Sequence, residues 1–153
     1  MKGHKIHINH ASKSEMASLE SQFRSLYSNS KKAKFYNSRL NLGDFRSGEC
    51  VLVAKAYGHI AGFIWLVWYE HIKHKGIAYI EEMYVEKKFR RMGIGKLLVA
   101  RALKTAKSNG ALVVFVCTGA HMKAAQNFYI KIGMKRLNAP WFFMNLKKDS
   151  ALL

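Results

Sequence analysis

The sequence contains few cysteines, prolines and acidic residues, and each shortage argues against a class of protein. There are two cysteines and one proline among 153 residues. Cys50 and Cys117 lie inside apolar runs and lack metal-ligand spacing, which argues against a disulfide framework or a zinc site. One proline argues against a long proline-rich linker, and a hydrophobic fraction of 50% argues against disorder. The length predicts a single domain over residues 1–153.

Long apolar runs are also missing. The longest, Ile60–Tyr69, is too short to cross a bilayer, which takes about 20 apolar residues in a helix. The N-terminal residues Met1–His7 contain no apolar signal core. These absences predict a soluble cytoplasmic protein with no membrane partner.

The shortage of negative charge is the largest of the three. Lysine and arginine number 26 and acidic residues nine, which gives a formal net charge of +17. A field of this size attracts polyanions and repels polycations. Two interpretations stay open: a solvated surface with non-specific affinity for nucleic acid, or a specific acidic partner.

Hydrophobic periodicity and turn residues predict an alternation of strands and helices. A capping box, Ser12-x-x-Glu15, predicts the start of an amphipathic helix that ends near Tyr27. The other predicted helices are Ile94–Asn109 and Met122–Ile132, and the predicted strands are Lys5–Asn9, Glu49–Tyr57, His59–Tyr69, Ile77–Val85, Ala111–Cys117, Met134–Leu137 and Trp141–Leu146. Gly58 separates the second and third strands, which indicates a hairpin.

The order of these elements predicts the fold class. A strand, helix, strand succession from residue 77 to residue 117 implies a parallel pair with a right-handed crossover. Because the hairpin before it is antiparallel, the sheet is mixed. We therefore predict an α/β (α+β) fold with one mixed sheet and helices on both of its faces.

The strand Ile77–Val85 contains an irregularity in its alternation. Its apolar residues are Ile80, Met83 and Val85, so the phase skips one residue near Glu81 and Glu82. An extra residue in a strand is a β-bulge, and bulges re-aim side chains beside active sites. Two adjacent carboxylates in an apolar strand are costly to bury without a task or a partner.

A glycine-containing turn, Arg90-x-x-Gly93-x-Gly95, follows that strand and opens the next helix. Helix N-termini carry unpaired N–H groups and partial positive charge, and glycines allow an anion to approach the backbone. Arg90, Arg91 and Lys96 add formal charge, so a pyrophosphate would fit. The turn is not a Walker loop, because no Gly-Lys-Ser/Thr follows with that spacing. It is not a dinucleotide fingerprint either, because Leu98 stands where the third glycine would be. A plain strand-to-helix turn is the alternative.

Three features together resemble one family: the Arg90-x-x-Gly93-x-Gly95 turn, the later Ala125-x-x-Phe128-Tyr129-x-x-x-Gly133 sequence, and the element order. They are similar to the GNAT superfamily of N-acetyltransferases. The resemblance implies acetyl-CoA as acetyl donor and a mostly antiparallel sheet whose parallel strands splay apart after Val85. It also implies a set of cofactor-binding residues: Met83, Tyr84, Val85, Arg90, Arg91, Met92, Gly93, Ile94, Gly95, Lys96 and Phe128. The residues themselves predict no metal, because His71 and His74 lie in a polar loop without a helical pattern.

The resemblance further implies direct attack of an amine on the thioester. A lysine-like amine with a pKa of about 10.4 is mostly protonated at neutral pH, so a base must remove a proton. Glu82 and Glu81 are the candidate bases, and Tyr129 resembles the acid that protonates the leaving thiolate. A backbone N–H near Val85 would meet the oxyanion. Each residue has a structural alternative: Tyr129 as core, and either glutamate as the partner of a lysine.

Two departures from the family pattern bear on these roles. Met122 stands where many members have asparagine, so one contact is absent or comes from His121. Cys117 stands where some relatives carry a glutamate, which leaves the base role to Glu81 or Glu82.

The sequence leaves the acceptor and the oligomeric state, a homodimer included, open. The acceptor is a small amine of polyamine or aminoglycoside type, or an amine of a protein or peptide. The alternative function is a basic module that binds nucleic acid or the ribosome, with regulatory or vestigial CoA binding.

Overall fold

The computed structural model describes residues 6–19, 48–68 and 77–137, and the five strands found there form one sheet. In chain order these are β1 (His7–His10), β2 (Glu49–Ala56), β3 (His59–Trp68), β4 (Ile77–Val85) and β5 (Val113–Val116). The strands also lie in this order across the sheet. Neighbouring strands from β1 to β4 are antiparallel, and β4 and β5 are parallel. The predicted mixed, mostly antiparallel sheet is therefore confirmed.

Three α-helices lie in the described residues: α1 (13–19), α2 (Ile94–Ser108) and α3 (Lys123–Lys131). A short 3₁₀ helix, Lys87–Phe89, precedes α2. The chain divides into two compact units, Met1–Cys117 and Thr118–Leu153, and each is described by itself. The first unit contains the sheet, α1 and α2, and the second contains α3. The single domain over residues 1–153 stays a prediction.

Some predicted elements are corrected or lie elsewhere. The strand predicted at residues 134–137 is wrong, because these residues form no strand and pair with no described strand. The predicted end of α1 near Tyr27 and the predicted strand at residues 141–146 lie outside the described residues. Within the described part of the chain, no helix is long and apolar enough to cross a membrane.

The β2–β3 hairpin is closed by a two-residue turn at Tyr57 and Gly58. Their φ angles are 54° and 77°, and the flanking residues Ala56 and His59 pair across the hairpin. Two consecutive positive φ angles are the signature of a type I′ turn, whose twist matches that of the strands. Gly58 adopts this conformation without a steric cost. The predicted break between the two strands at this glycine is therefore confirmed.

The alternation of β2 divides the core of the first unit between the two faces of the sheet. Val51 and Val53 pack with Met16 and Leu19 of α1 in one buried cluster. Leu52 and Ala54 point to the opposite face and are fully buried. The apolar stripe of α2, which contacts β2, β3 and β4, covers that second face. Helices therefore cover both faces of the sheet, as predicted.

The predicted capping box at the start of α1 is confirmed atom by atom. The backbone N–H of Ser12 donates to Glu15 Oε2 at 2.7 Å, and the N–H of Glu15 lies 3.4 Å from Ser12 Oγ. Lys55 Nζ on β2 lies 2.5 Å from the other oxygen, Glu15 Oε1. The lysine, and then the hydrogen bonds from Ser12, lower the pKa of Glu15 to about 2. The carboxylate thus ties α1 to the sheet.

The lowered pKa of Glu15 predicts a loss of stability in acid. A carboxyl group with a depressed folded-state pKa stabilises the fold above its unfolded pKa, near 4.5, and this stabilisation disappears as the pH falls toward 2. We expect Glu15→Gln to lower the free energy of unfolding by about 1 kcal/mol at pH 7. The difference from the unmodified protein should vanish near pH 2.

Urea unfolding at pH 7, 4 and 2 measures this difference in the free energy of unfolding. Two further variants separate the contribution of the cap from that of the lysine. Ser12→Ala removes the capping partner and keeps the lysine, whereas Lys55→Gln removes the lysine and keeps the cap. A destabilisation by Glu15→Gln that is as large at pH 2 as at pH 7 would contradict the assignment.

The predicted bulge in β4 is confirmed by the register of the β3–β4 pair. Trp65 pairs with Glu82, but the next residue, Leu66, pairs with Ile80. Glu81 is therefore the extra residue, and both glutamates lie opposite Trp65. The bulge places Ile80, Met83 and Val85 on the same face of the sheet, as the apolar pattern predicts.

Candidate active site

The half of β4 that follows the bulge has one edge without a neighbouring strand among the described residues, here called the open edge. The parallel pairing with β5 runs from Ile77 and Val113 to Ile80 and Val116, where β5 ends. Beyond Ile80, β4 continues to Val85 with β3 as its only strand neighbour in the described residues. The two parallel strands thus part at the bulge. The predicted separation after Val85 is wrong by five residues, because β5 ends at Val116, opposite Ile80.

The hydrogen-bond alternation of the ladder determines which residues face this open edge. The N–H of Glu86 donates to the carbonyl of Ala61 at 2.9 Å, so the neighbouring pair Val85 and Gly62 is a non-hydrogen-bonded pair. The N–H and C=O groups of Val85, and of Met83 two residues earlier, therefore point away from β3. Those of Tyr84 point toward β3. Met83 and Val85 are thus the residues that can pair with an extended ligand.

Arg90 folds back onto the end of this edge. Its Nε donates to the carbonyl oxygen of Val85 at 2.9 Å, and its guanidinium carbon lies 5.9 Å from the centre of the Tyr84 ring. The side chain thus fixes the turn to the strand that precedes it. The sequence predicts Arg90 only as a ligand of the cofactor, and this bracing contact was missed. Direct binding of the cofactor by Arg90 stays a prediction.

The turn after the strand exposes the backbone at the start of α2. Arg91 and Gly93 adopt left-handed φ angles of 65° and 80°. Gly93 is the N-cap and makes no side-chain cap, and the first bond of the helix runs from Leu97 N–H to Gly93 C=O at 3.1 Å. The N–H groups of the three residues between them therefore have no partner within the helix. Those residues are Ile94, Gly95 and Lys96.

The formal charge at this helix end is positive. Acidic residues stabilise the first turn of a helix, yet that of α2 contains none and carries Lys96 instead. The side chains of Arg91 and Lys96 are exposed. Ile94 and Leu98 are buried in the core and hold the helix end in place. The arrangement is suited to an anion, which would satisfy the free N–H groups and compensate Lys96.

The two candidate bases have different surroundings. Glu82 is half-buried and lies directly opposite Trp65, whereas Glu81 is exposed at the bulge. Residues directly opposite in an antiparallel pair share a face, so Glu82 lies on the same face of the sheet as Trp65. The register therefore assigns the side chain of Glu82 to one face of the sheet, whereas it assigns no face to Glu81, the extra residue of the bulge. The assignment of either residue as the base stays a prediction.

Tyr129 lies in the second unit, on α3. Its side chain is 8% exposed, and its ring meets that of Phe128 edge-on at 5.2 Å. Two hydrogen bonds end the helix around Gly133: its own N–H donates to Ile130 C=O, and the N–H of Met134 donates to Tyr129 C=O. The predicted end of this helix at Ile132 is confirmed to within one residue. The roles of Tyr129 as acid and Phe128 as cofactor contact stay predictions.

A contact that the sequence does not predict joins α3 to the loop before it. The side-chain amide of Gln126 donates to the carbonyls of Gly119 and Ala120, at 3.0 and 3.2 Å. Gln126 thus braces the loop that leads into α3. The polar residue four positions after Met122 is the signal that could have indicated it.

No cluster of metal-ligating side chains occurs among the described residues. No group of three or more histidine, cysteine, aspartate or glutamate side chains comes close enough there to hold an ion. His71 and His74, for which the sequence predicts no metal, lie outside the described residues.

The open edge and the helix N-terminus fit the two ends of an extended thioester that carries a diphosphate. The amides of such a ligand would pair along Met83 and Val85, and its phosphates would lie at Ile94–Lys96.

Comparison with known proteins agrees with this geometry. A sequence model described as the acetyltransferase (GNAT) family matches residues 15–134. The chain belongs to the GNAT family. It is also 30% identical, over 92 residues, to an uncharacterized N-acetyltransferase of Methanocaldococcus jannaschii. The aligned region covers 59% of this chain but only 41% of that relative.

Solved structures share the fold of this GNAT family member at low sequence identity. Aminoglycoside N-acetyltransferase AAC(6')-Iy in complex with CoA has a TM-score of 0.77 and 15% identity, with 94% of this chain and 97% of that chain covered. An aminoglycoside acetyltransferase from an uncultured soil metagenomic sample, in complex with sisomicin, has a TM-score of 0.67 and 17% identity, with 92% and 97% covered. At these identities the likeness establishes the fold alone.

Proposed function

We propose that this GNAT family member is an acetyl-CoA-dependent N-acetyltransferase that acts on a primary amine. The observation that carries the proposal is the continuity of two backbone features. The open edge at Met83 and Val85 leads through one short turn to a helix N-terminus without acidic residues. An acyl-CoA needs such a pair, because its pantetheine arm carries amides and its diphosphate carries negative charge.

The chain's own residues would then handle the protons. Acetyl-CoA supplies an acetyl group on a thioester, whose carbonyl carbon forms the new bond to the amine nitrogen while the carbon–sulfur bond breaks. Glu82 would accept the proton of the amine, directly or through a water molecule. The N–H of Val85, which the ladder turns to the open edge, would donate to the carbonyl oxygen as charge develops there. Tyr129 would return a proton to the departing sulfur.

We further propose that the acceptor is a cationic small amine. Three of the nine acidic residues of the chain, Glu81, Glu82 and Glu86, lie within six residues on and after β4. Lys88 Nζ neutralises part of this charge, since it lies 3.3 Å from Glu86 Oε1. Glu81 and Glu82 would offer carboxylates to a cationic amine on the strand that the proposed reaction uses. Two structures of similar fold were solved with an aminoglycoside or an acetylneamine conjugate, which supports this class of acceptor.

Two measurements test this function separately. Calorimetry with CoA tests the backbone site, and we expect a saturable signal with one ligand per chain. A thiol-release assay with acetyl-CoA then compares spermidine, an aminoglycoside and short peptides with free amines. Turnover should be fastest with the first two. The absence of heat with CoA would refute the proposal, whereas faster turnover of peptides would refute only the class of acceptor.

A further inference from the structure

A cavity lies at the opposite end of α2 from the candidate active site. It has a volume of 520 Å³, within the usual range for small-molecule sites, and opens between α2 and the ends of β2 and β3. Its lining includes both cations and hydrogen-bonding groups as well as one large aromatic ring: Glu49, Trp68, Arg101, Lys104, Thr105 and Ser108. Since Ile94 begins the helix and Thr105 is 11 residues further on, the two sites lie about 16 Å apart along its axis.

The cations of this cavity lack partners within the part of the chain that the structure describes. Arg101 and Lys104 are exposed, and neither forms an ion pair with a described carboxylate. The sequence explains this, because residues 87–148 contain 14 lysines and arginines and no acidic residue. Like charges three or four residues apart on a helix repel each other. An anionic ligand would relieve that repulsion.

The remaining lining residues restrict the class of anion. Trp68 is half-buried and contributes an aromatic wall, and Glu49 supplies a hydrogen-bond acceptor. The hydroxyl groups of Thr105 and Ser108 supply donors beside the two cations. A bare phosphate would use the cations and hydroxyls but neither the ring nor the carboxylate. A ligand with a phosphate at one end and a flat, hydrogen-bonding ring at the other uses them all.

We propose that this cavity binds a nucleotide. Its phosphate lies against Arg101 and Lys104, its base stacks on Trp68, and Glu49 accepts a hydrogen bond from the base or the sugar. The nucleotide is either a free mononucleotide or one unit of a single-stranded nucleic acid. The proposal concerns a site separate from that of acetyl-CoA, and it does not depend on the proposed acetyl transfer.

The test measures binding of UMP and of a fluorescein-labelled decauridylate to the full chain. Excess acetyl-CoA is present throughout, so that the probes do not report on a site for the nucleotide portion of the cofactor. Calorimetry follows UMP, and fluorescence anisotropy follows the decauridylate at two salt concentrations. Equal affinity for the two probes identifies a free mononucleotide as the ligand chemistry. An affinity for the decauridylate at least 30-fold higher identifies the single strand.

Matched charge variants decide whether the cavity or the general field is responsible. Arg101→Gln and Lys104→Gln remove one cation each from the lining, and we expect each to weaken UMP binding about tenfold. Lys107→Gln removes the same charge from the same helix outside the cavity and should change UMP binding less than twofold. Trp68→Phe keeps an aromatic wall and should retain binding, whereas Trp68→Leu should weaken it at least fivefold. Thermal denaturation verifies that each variant is folded.

Two results would overturn the proposal. One is the lack of saturable binding of both probes. The other is an equal loss in the Lys107→Gln, Arg101→Gln and Lys104→Gln variants, which would mean that the probes respond to net charge alone.

Discussion

Replacing Lys96 with glutamate is expected to change stability and cofactor affinity in opposite directions. The first turn of α2 has no acidic residue, and its free N–H groups carry partial positive charge. A carboxylate at this position interacts favourably with the helix dipole and should raise the free energy of unfolding by about 0.5 kcal/mol. The same carboxylate would repel a diphosphate at the helix end, so we expect CoA affinity to fall roughly 100-fold.

The control for this variant is Lys107→Glu. It makes the same change of charge in the last turn of the same helix, where a cation is favourable. We expect it to destabilise the protein by about 0.5 kcal/mol and to leave CoA affinity within twofold. Thermal denaturation and calorimetry on both variants give all four values. If Lys96→Glu binds CoA as well as the unmodified protein does, the anion does not lie at this helix end.

The features that the sequence predicts well depend on residues close together in the chain. The capping box needs only Ser12 and Glu15, and the hairpin turn needs Tyr57 and Gly58. The bulge follows from the phase of one strand, because the apolar side chains of Ile80 and Met83 must reach the same core. In each case the interacting residues lie within a few positions of each other, so a local sequence pattern is enough to predict the structure.

The features that the sequence does not predict depend on pairing between distant segments. The point at which the parallel strands part follows from where β5 ends, more than 30 residues after the bulge. The strand predicted at residues 134–137 has a suitable local pattern but no partner among the described strands. The cavity at the C-terminal end of α2 brings together Glu49, Trp68 and Arg101, whose separations in the chain show no regular period.

The contact from Arg90 to the carbonyl of Val85 shows a different limit. Both residues belong to the stretch that the sequence marks as functional, and they lie five positions apart. An arginine beside a glycine turn indicates an anion site on charge alone, and only the backbone geometry reveals the hydrogen bond to the strand. The side chain therefore supports the open edge in addition to any role toward phosphate.

Glu82→Gln is expected to produce the largest loss of activity, a decrease in kcat/KM of about 10²- to 10⁴-fold at pH 7. Glutamine preserves the size of the side chain and its place opposite Trp65 but cannot accept a proton from the amine. The deficit should shrink as the pH rises, because an acceptor amine with a pKa of about 10.4 loses its proton to solvent without help from the protein. Initial rates from pH 7 to pH 10 measure this convergence.

Glu81→Gln is the matched control, since it makes the same chemical change one residue away, at the exposed position of the bulge. We expect a loss of less than tenfold and no convergence with pH. The KM for acetyl-CoA should be unchanged in both variants, because neither side chain lies at the backbone site that would hold the cofactor. A larger, pH-dependent loss in Glu81→Gln would transfer the base role to Glu81. Unchanged rates in both variants would mean that solvent, and neither carboxylate, removes the proton.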